Sequence, residues 1–258
     1  MIVSVMSPHT RGNGNTVTSM FLGLGLASMN KKVLLTHTNP TSDAFYRYLG
    51  LEQYEDKTST PTQLVKLLRQ GAIQPEEITD YCKHIYDGLD AFTTNETNFS
   101  EEDMYAFSDY MLSLSTYDFI IYDVNNLDSN TAQMVVKNSD LIIFNLTQSI
   151  MELEEFKSQD KEYMKICKDK QIVLVCNKFD KTAGKDKDIT KFLEFKTRCN
   201  TISYNPWVIN ACNTGRIIDL YKTIKSKGVK VIELDKDIQR LATMVSKSKI
   251  AITKKRNK

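Results

Sequence analysis

Chemistry is most legible at the end of the first apolar run, where Ile2–Met6 leads into Ser7-Pro8-His9-Thr10-Arg11-Gly12-Asn13-Gly14-Asn15-Thr16-Val17 and then a helical stretch. Gly12 and Gly14 can turn successive backbone N–H groups toward one point. The helix that follows adds the positive end of its dipole, so that strand, glycine loop and helix together make a cradle for an anion. The Thr16 hydroxyl is a hard oxygen donor of the kind Mg²⁺ accepts, and Arg11 places a guanidinium beside the loop. A Gly-x-Gly also occurs in tight strand-to-helix turns that bind nothing, so the loop needs its context.

That context is an alternation of short apolar runs with longer helical stretches. The runs Ile2–Met6, Lys32–Leu35, Leu89–Thr93, Phe119–Asp123, Leu141–Asn145, Ile172–Cys176 and Thr201–Tyr204 are nearly continuous in apolar character, as strands covered on both faces are. Between them Asn15–Met29, Thr62–Gln70, Pro75–Tyr86, Ser100–Leu114, Ile150–Lys168 and Ile217–Lys225 carry helical spacing, and Ser100-Glu-Glu-Asp103 reads as a capping box. The expectation is an α/β fold: a doubly wound, mostly parallel sheet of about seven strands with helices on both faces. No linker or repeat divides the chain, so residues 1–246 are expected to form one domain and residues 247–258 a basic, flexible tail.

With those elements in place, the loop resembles the deviant Walker A loop of the MinD/ParA family, Lys-Gly-Gly-x-Gly-Lys-Thr-Thr. The resemblance puts Arg11 on the signature lysine, Gly12 and Asn13 on the glycine pair, Asn15 on the P-loop lysine and Thr16 on the magnesium-binding hydroxyl. Lys31–Pro40 is similar to the family's second strand, which usually ends Asp-x-Asp-Pro. Tyr117–Asp123 is similar to its Walker B strand, with Asp123 at the acidic position. Val173–Asp180 and Ile202–Pro206 are similar to the later strands and the two loops that hold adenine. The match runs in collinear order over nearly the whole chain.

The resemblance implies ATP or ADP with Mg²⁺ as cofactor, held by Arg11, Gly12, Asn13, Gly14, Asn15, Thr16 and Val17 around the phosphates. Thr16 and Asp123 stand near the metal, and Asn177, Tyr204, Asn205 and Pro206 near the base. Asn177 and Asn205 have the donors and acceptors to read an adenine edge, and either can equally serve as a turn or cap residue. The departures are chemical. Asn15 replaces the cation that neutralises the β- and γ-phosphates, and His37 and Asn39 replace two acids, the second of which helps position or activate the attacking water in the family. Both electrostatic halves of hydrolysis are missing, so turnover is expected to be weak or absent. Arg11, if it acts as the signature lysine does, crosses a nucleotide-sandwich homodimer to the partner's phosphates; otherwise it is an ordinary surface charge. The family reading is a spatial organiser acting through dimerisation and a protein partner of a pilus, secretion or partition system. Localisation proteins of the TadZ type resemble the chain in tolerating altered Walker loops. Plasmid or chromosome partition ATPases and a scaffold that binds no nucleotide are the alternatives.

Composition narrows the rest. The 258 residues carry a net charge of +2, yet Lys247, Lys249, Lys254, Lys255, Arg256 and Lys258 fall in the last twelve, and without them the remainder is −4. Such a run either contacts DNA or an anionic membrane or is merely solvated. Leu234, Ile238, Leu241, Met244 and Val245 mark a helix with one apolar face, expected to pack on the sheet in preference to a membrane surface. Five cysteines without a CxxC pair read as free thiols, and no segment approaches the apolar length of a membrane span, so a cytoplasmic location is expected. His9, His37 and His84 are too scattered for a metal site.

Overall fold

The computed structural model describes the chain except residues 9–11, 41–43, 52–60, 94–98, 126, 168–169, 227–231 and 257–258. Eight strands form one sheet: β1 (Ile2–Met6), β2 (Val33–His37), β3 (Lys83–Tyr86), β4 (Leu89–Ala91), β5 (Phe119–Asp123), β6 (Leu141–Leu146), β7 (Gln171–Phe179) and β8 (Asn200–Ser203). Their order is β3-β4-β2-β5-β1-β6-β7-β8, parallel throughout except for β3 against β4. The named helices are α1 (Asn15–Ala27), α2 (Ala44–Tyr48), α3 (Pro61–Arg69), α4 (Glu101–Leu112), α5 (Asn130–Asn138), α6 (Ile150–Ile166), α7 (Asp186–Phe192), α8 (Pro206–Asn213), α9 (Ile217–Lys225) and α10 (Ile232–Arg256).

Alternation along each strand builds a core on each face. Val3, Val5, Val33, Leu35, Phe119, Ile121, Ile143 and Val175 pack under α1, α2, α8, α9 and α10. Ile2, Met6, Leu34, Ile120, Tyr122, Ile142, Phe144 and Leu174 pack under α3–α7. The doubly wound expectation holds, with one strand more than expected. The difference lies at Pro75–Tyr86, read as one helix. A 3-10 turn over Pro75–Tyr81 stops where Cys82 turns extended, and Lys83–Tyr86 becomes an antiparallel edge strand. Asp87-Gly88 makes the two-residue turn between β3 and β4, with Gly88 at φ +78°. The capping box at α4 is present: Ser100 Oγ accepts from Asp103 N and Asp103 Oδ2 accepts from Ser100 N, both at 3.1 Å.

Helix α10 packs as its apolar face requires. Leu234, Ile238, Leu241, Ala242 and Val245 are buried over α1 and β8. Close approach to α1 depends on Gly25, where a Cβ would stand 2.9 Å from the Ala242 Cβ. Asp237 ties the same helix to β8, accepting from Ser203 N at 2.9 Å and Ser203 Oγ at 2.6 Å. The helix runs through the boundary expected at residue 246 and continues to Arg256. Lys249, counted with the tail, donates to Asp118 Oδ1 at 2.6 Å, so this cation is bound to the body of the protein. Among the described residues no helix is long and apolar enough to cross a membrane.

Candidate functional site

Parallel strands direct their carboxyl ends to one edge of the sheet, and a ligand crevice forms there where the connections reverse direction. β1 is that point, flanked by β5 on one side and β6 on the other. The loop after β1 enters α1 through Gly14 at φ +81°, and no side chain caps the helix. The first backbone N–H groups of α1 therefore have no intrahelical acceptor and face outward from the helix end.

Gly14 is required twice over. Its φ lies in the left-handed region, and a Cβ would meet Asn177 Nδ2 at 2.5 Å. Around it a web of amides holds the loop rigid. Asn177 Nδ2 donates to Gly14 O at 3.2 Å and to Thr18 Oγ1 at 2.8 Å, Thr18 Oγ1 donates to Asn145 Oδ1 at 3.0 Å, and Asn145 Nδ2 donates to Asn13 O at 2.7 Å. Asn145 is buried at the end of β6 and Asn177 in β7, so both strands brace the loop.

The loop opens on a cavity of about 620 Å³. Gly12, Asn13, Gly14, Asn15, Thr16, Val17, Asn177, Tyr204 and Asn205 all line it, so nine of the residues singled out by sequence come together. Pro206 is the first residue of α8 and does not line the cavity. Asn205 caps that helix, its Oδ1 accepting from Trp207 N at 2.9 Å, and the Asn177 amide is engaged with the loop. Asn205 thus fills the cap role left open for it, while Asn177, inside β7, braces the phosphate loop. Arg11 lies outside the described residues. Its correspondence to the signature lysine also needs a one-residue gap, since three residues separate Arg11 from Asn15 where the family pattern has four.

Behind the loop, Thr16 Oγ1 donates to Asp123 Oδ2 at 2.5 Å, and Asp123 Oδ1 is buried with no hydrogen-bond partner among the described residues. Burial pushes the Asp123 carboxyl up to about 6, against the opposing hydrogen bonds of Thr16 and Asn125. A buried carboxylate with an unpartnered oxygen next to a threonine hydroxyl suits a hard divalent cation, and these residues fit Mg²⁺. Beside Asp123 in the β2–β5 register stands His37, fully buried; burial pushes it down to about 4, with the Asn39 backbone opposing. It is neutral at pH 7 and too weak a base to take over the part of a carboxylate.

Asn15 does not replace the missing cation. Its Nδ2 donates to Ser7 Oγ at 3.3 Å and to Val124 O at 3.5 Å, turned back toward the strand ends. Asn39, read as replacing the water-positioning acid, lines the cavity; sequence reasoning assigned no role to Lys178, Asn145, Thr18 or Asn125, of which Lys178 and Asn125 line it. The usable signal was an asparagine set inside or directly after an apolar strand, as at Asn125, Asn145 and Asn177, where a buried amide needs a partner.

No protein-family model matches the chain, and no curated protein sequence does. Solved structures do. The septum site-determining protein MinD from Pyrococcus horikoshii OT3, complexed with Mg-ADP, superposes with a TM-score of 0.70 at 18% identity, covering 95% of each chain. A putative plasmid partition protein from Borrelia burgdorferi B31, bound to AMPPNP, gives 0.62 at 18% identity over 87% of this chain and 96% of that one. MinD from Aquifex aeolicus in its complex with MinC gives 0.69 at 16% identity over 95% of each. The chain therefore has the fold of the MinD and ParA-type ATPases.

Proposed function

We propose that this chain is a MinD/ParA-like, nucleotide-dependent spatial organiser that binds ATP or ADP with Mg²⁺, turns ATP over weakly or not at all, and acts by dimerisation and recruitment of a protein partner. The observation that carries the reading is the make-up of the cavity: the glycine loop, with Thr16 bonded to Asp123 behind it, and an apolar wall are present, while no carboxylate lines the cavity among the described residues. Binding needs the first set, and activation of a water needs an acid or base that the described lining residues do not supply. The metal, when bound, would neutralise phosphate charge; Thr16 and Asp123 would hold it, Gly12–Val17 would orient the phosphates, and Ile202, Tyr204, Val208 and Ile209 would cover the base.

Bound-state likenesses support the same reading, since one similar fold carries Mg-ADP, another AMPPNP and a third a protein partner. The partner type we favour is a pilus or secretion system, and the location we favour is the cytoplasm. The basic run in the last residues of the sequence supports a second reading, a partition-type protein that touches DNA, or anionic lipid, through Lys254, Lys255, Arg256 and Lys258. The test is sedimentation of wild type and Arg11→Ala with ATP, with ADP and without nucleotide, followed by analysis of the recovered nucleotide. We expect an ATP-promoted homodimer weakened by Arg11→Ala, and intact ATP. Sustained hydrolysis abolished by Asp123→Ala, or a monomer under saturating ATP, overturns the reading.

A further inference from the structure

We infer that Lys178, delivered from the end of β7, is the cation of this nucleotide site, and that it binds the phosphate next to the sugar and not the terminal one. The inference rests on the nucleotide reading above and assigns the charge that Asn15 does not carry.

Several features of the backbone are spent on placing this one side chain. The β7–β8 ladder shifts register between Cys176 and Phe179, and Lys178 lies within that irregularity with φ at +52°, a conformation that side-chain-bearing residues rarely adopt. A bulge of this kind re-aims a side chain. Neighbouring bonds hold the strained residue in place: Lys178 N donates to Asn177 Oδ1 at 2.7 Å, while the Asn177 amide is fastened to Gly14 O and Thr18 Oγ1. The result is that Lys178 Nζ crosses to the phosphate loop and donates to Gly12 O at 2.7 Å. An ammonium has three N–H donors, and the carbonyl takes one, which leaves two for a ligand.

Charge and position select the ligand. Among the described residues lining the cavity Lys178 is the one cation, and no carboxylate faces it there. Asn13 Nδ2, buried and without a hydrogen-bond partner among the described residues, adds a second donor in search of an acceptor. The cavity thus suits an anion. Its loop end is formed by Gly12–Val17 and its opposite end by Ile202, Tyr204, Val208 and Ile209 after β8. β7 lies between β1 and β8 in the sheet, so the ammonium, held at Gly12 O, reaches the phosphate loop from the side of the β8 end, the side from which the sugar of a nucleotide would join its phosphate chain. A cation at that place meets a group that ADP and ATP share.

Calorimetric titration of ADP and of ATP, each with Mg²⁺, onto wild type, Lys178→Gln, Lys178→Arg and Lys181→Gln tests the assignment. Removing the ammonium should weaken ADP and ATP by the same factor, about tenfold or more, as loss of a charge-assisted hydrogen bond does. Lys178→Arg should retain most of the affinity. Lys181→Gln, which removes an equal charge three residues away, outside the cavity and paired with Glu233, should bind as wild type does. Lys178→Gly removes the ammonium and also relieves the positive φ, so it supplies a well-folded second variant that should show the same loss. Binding by Lys178→Gln and Lys178→Gly within twofold of wild type overturns the proposal and leaves the nucleotide reading standing. A loss confined to ATP overturns the placement beside the sugar. Absence of binding by wild type itself overturns the nucleotide reading, and this proposal with it.

Discussion

Gly14→Ala is expected to lower the free energy of unfolding by about 2–4 kcal/mol and to weaken ADP binding at least tenfold. The left-handed φ alone costs a side-chain-bearing residue roughly 1–2 kcal/mol. The added Cβ also meets Asn177 Nδ2, and moving that amide gives up its bonds to Gly14 O and Thr18 Oγ1, each worth about 0.5–1.5 kcal/mol. Gly12 is the internal control. Its φ is +91°, yet a Cβ there meets nothing within 4 Å, so Gly12→Ala should cost only the backbone term. Urea unfolding of both variants separates the two contributions. Equal losses at Gly12 and Gly14 would mean that the asparagine web does not brace the loop.

The second large effect is electrostatic and has two opposed halves. His37 is held down to about 4, so between pH 6.5 and 4 the unfolded chain takes up a proton there that the folded chain refuses. This residue makes the fold less stable as pH falls through that window, by on the order of 3 kcal/mol at full extent. Asp123 is held up to about 6, so the folded chain takes up a proton between pH 6 and 3.8 before the unfolded chain does. Its contribution runs the other way: stability rises as pH falls through the window, again on the order of 3 kcal/mol. In the wild type the two nearly cancel. Relative to wild type, His37→Leu should gain stability as pH drops from 7 to 4.5, and Asp123→Asn should lose it. Urea midpoints measured across that range decide the matter, and variant-minus-wild-type differences that stay flat with pH would show that neither side chain is desolvated. Because Mg²⁺ requires the ionised carboxylate, metal affinity should also fall below pH 6.

How much of this was readable from residue order depends on the range of the interaction. Phe119–Asp123 and Ile2–Met6 are strands because a continuous apolar run between turn residues has few other outcomes, and both match to the residue. Lys83–Tyr86 escaped, since a short edge strand with half-buried Lys83 and exposed His84 lacks that run. The local clue was Asp87-Gly88, a hairpin turn pair, outweighed by helical spacing upstream. At the site, the glycine loop and Thr16 were legible because their geometry is encoded within a few residues. Asn145 and Lys178 were not, because their partners lie 132 and 166 residues away, and Lys178 reaches the loop only through a ladder irregularity that no local pattern announces.

The most direct test is a titration of Mg²⁺-ADP into the 258-residue chain, followed by calorimetry. A phosphate loop braced by Asn177 and Asn145, opening on a cavity with a lysine and, among the described residues, no lining carboxylate, predicts saturable binding of one nucleotide per chain. Replacing Thr16 or Gly14 should abolish most of it. No heat of binding at millimolar ADP, with the protein folded, would contradict the account.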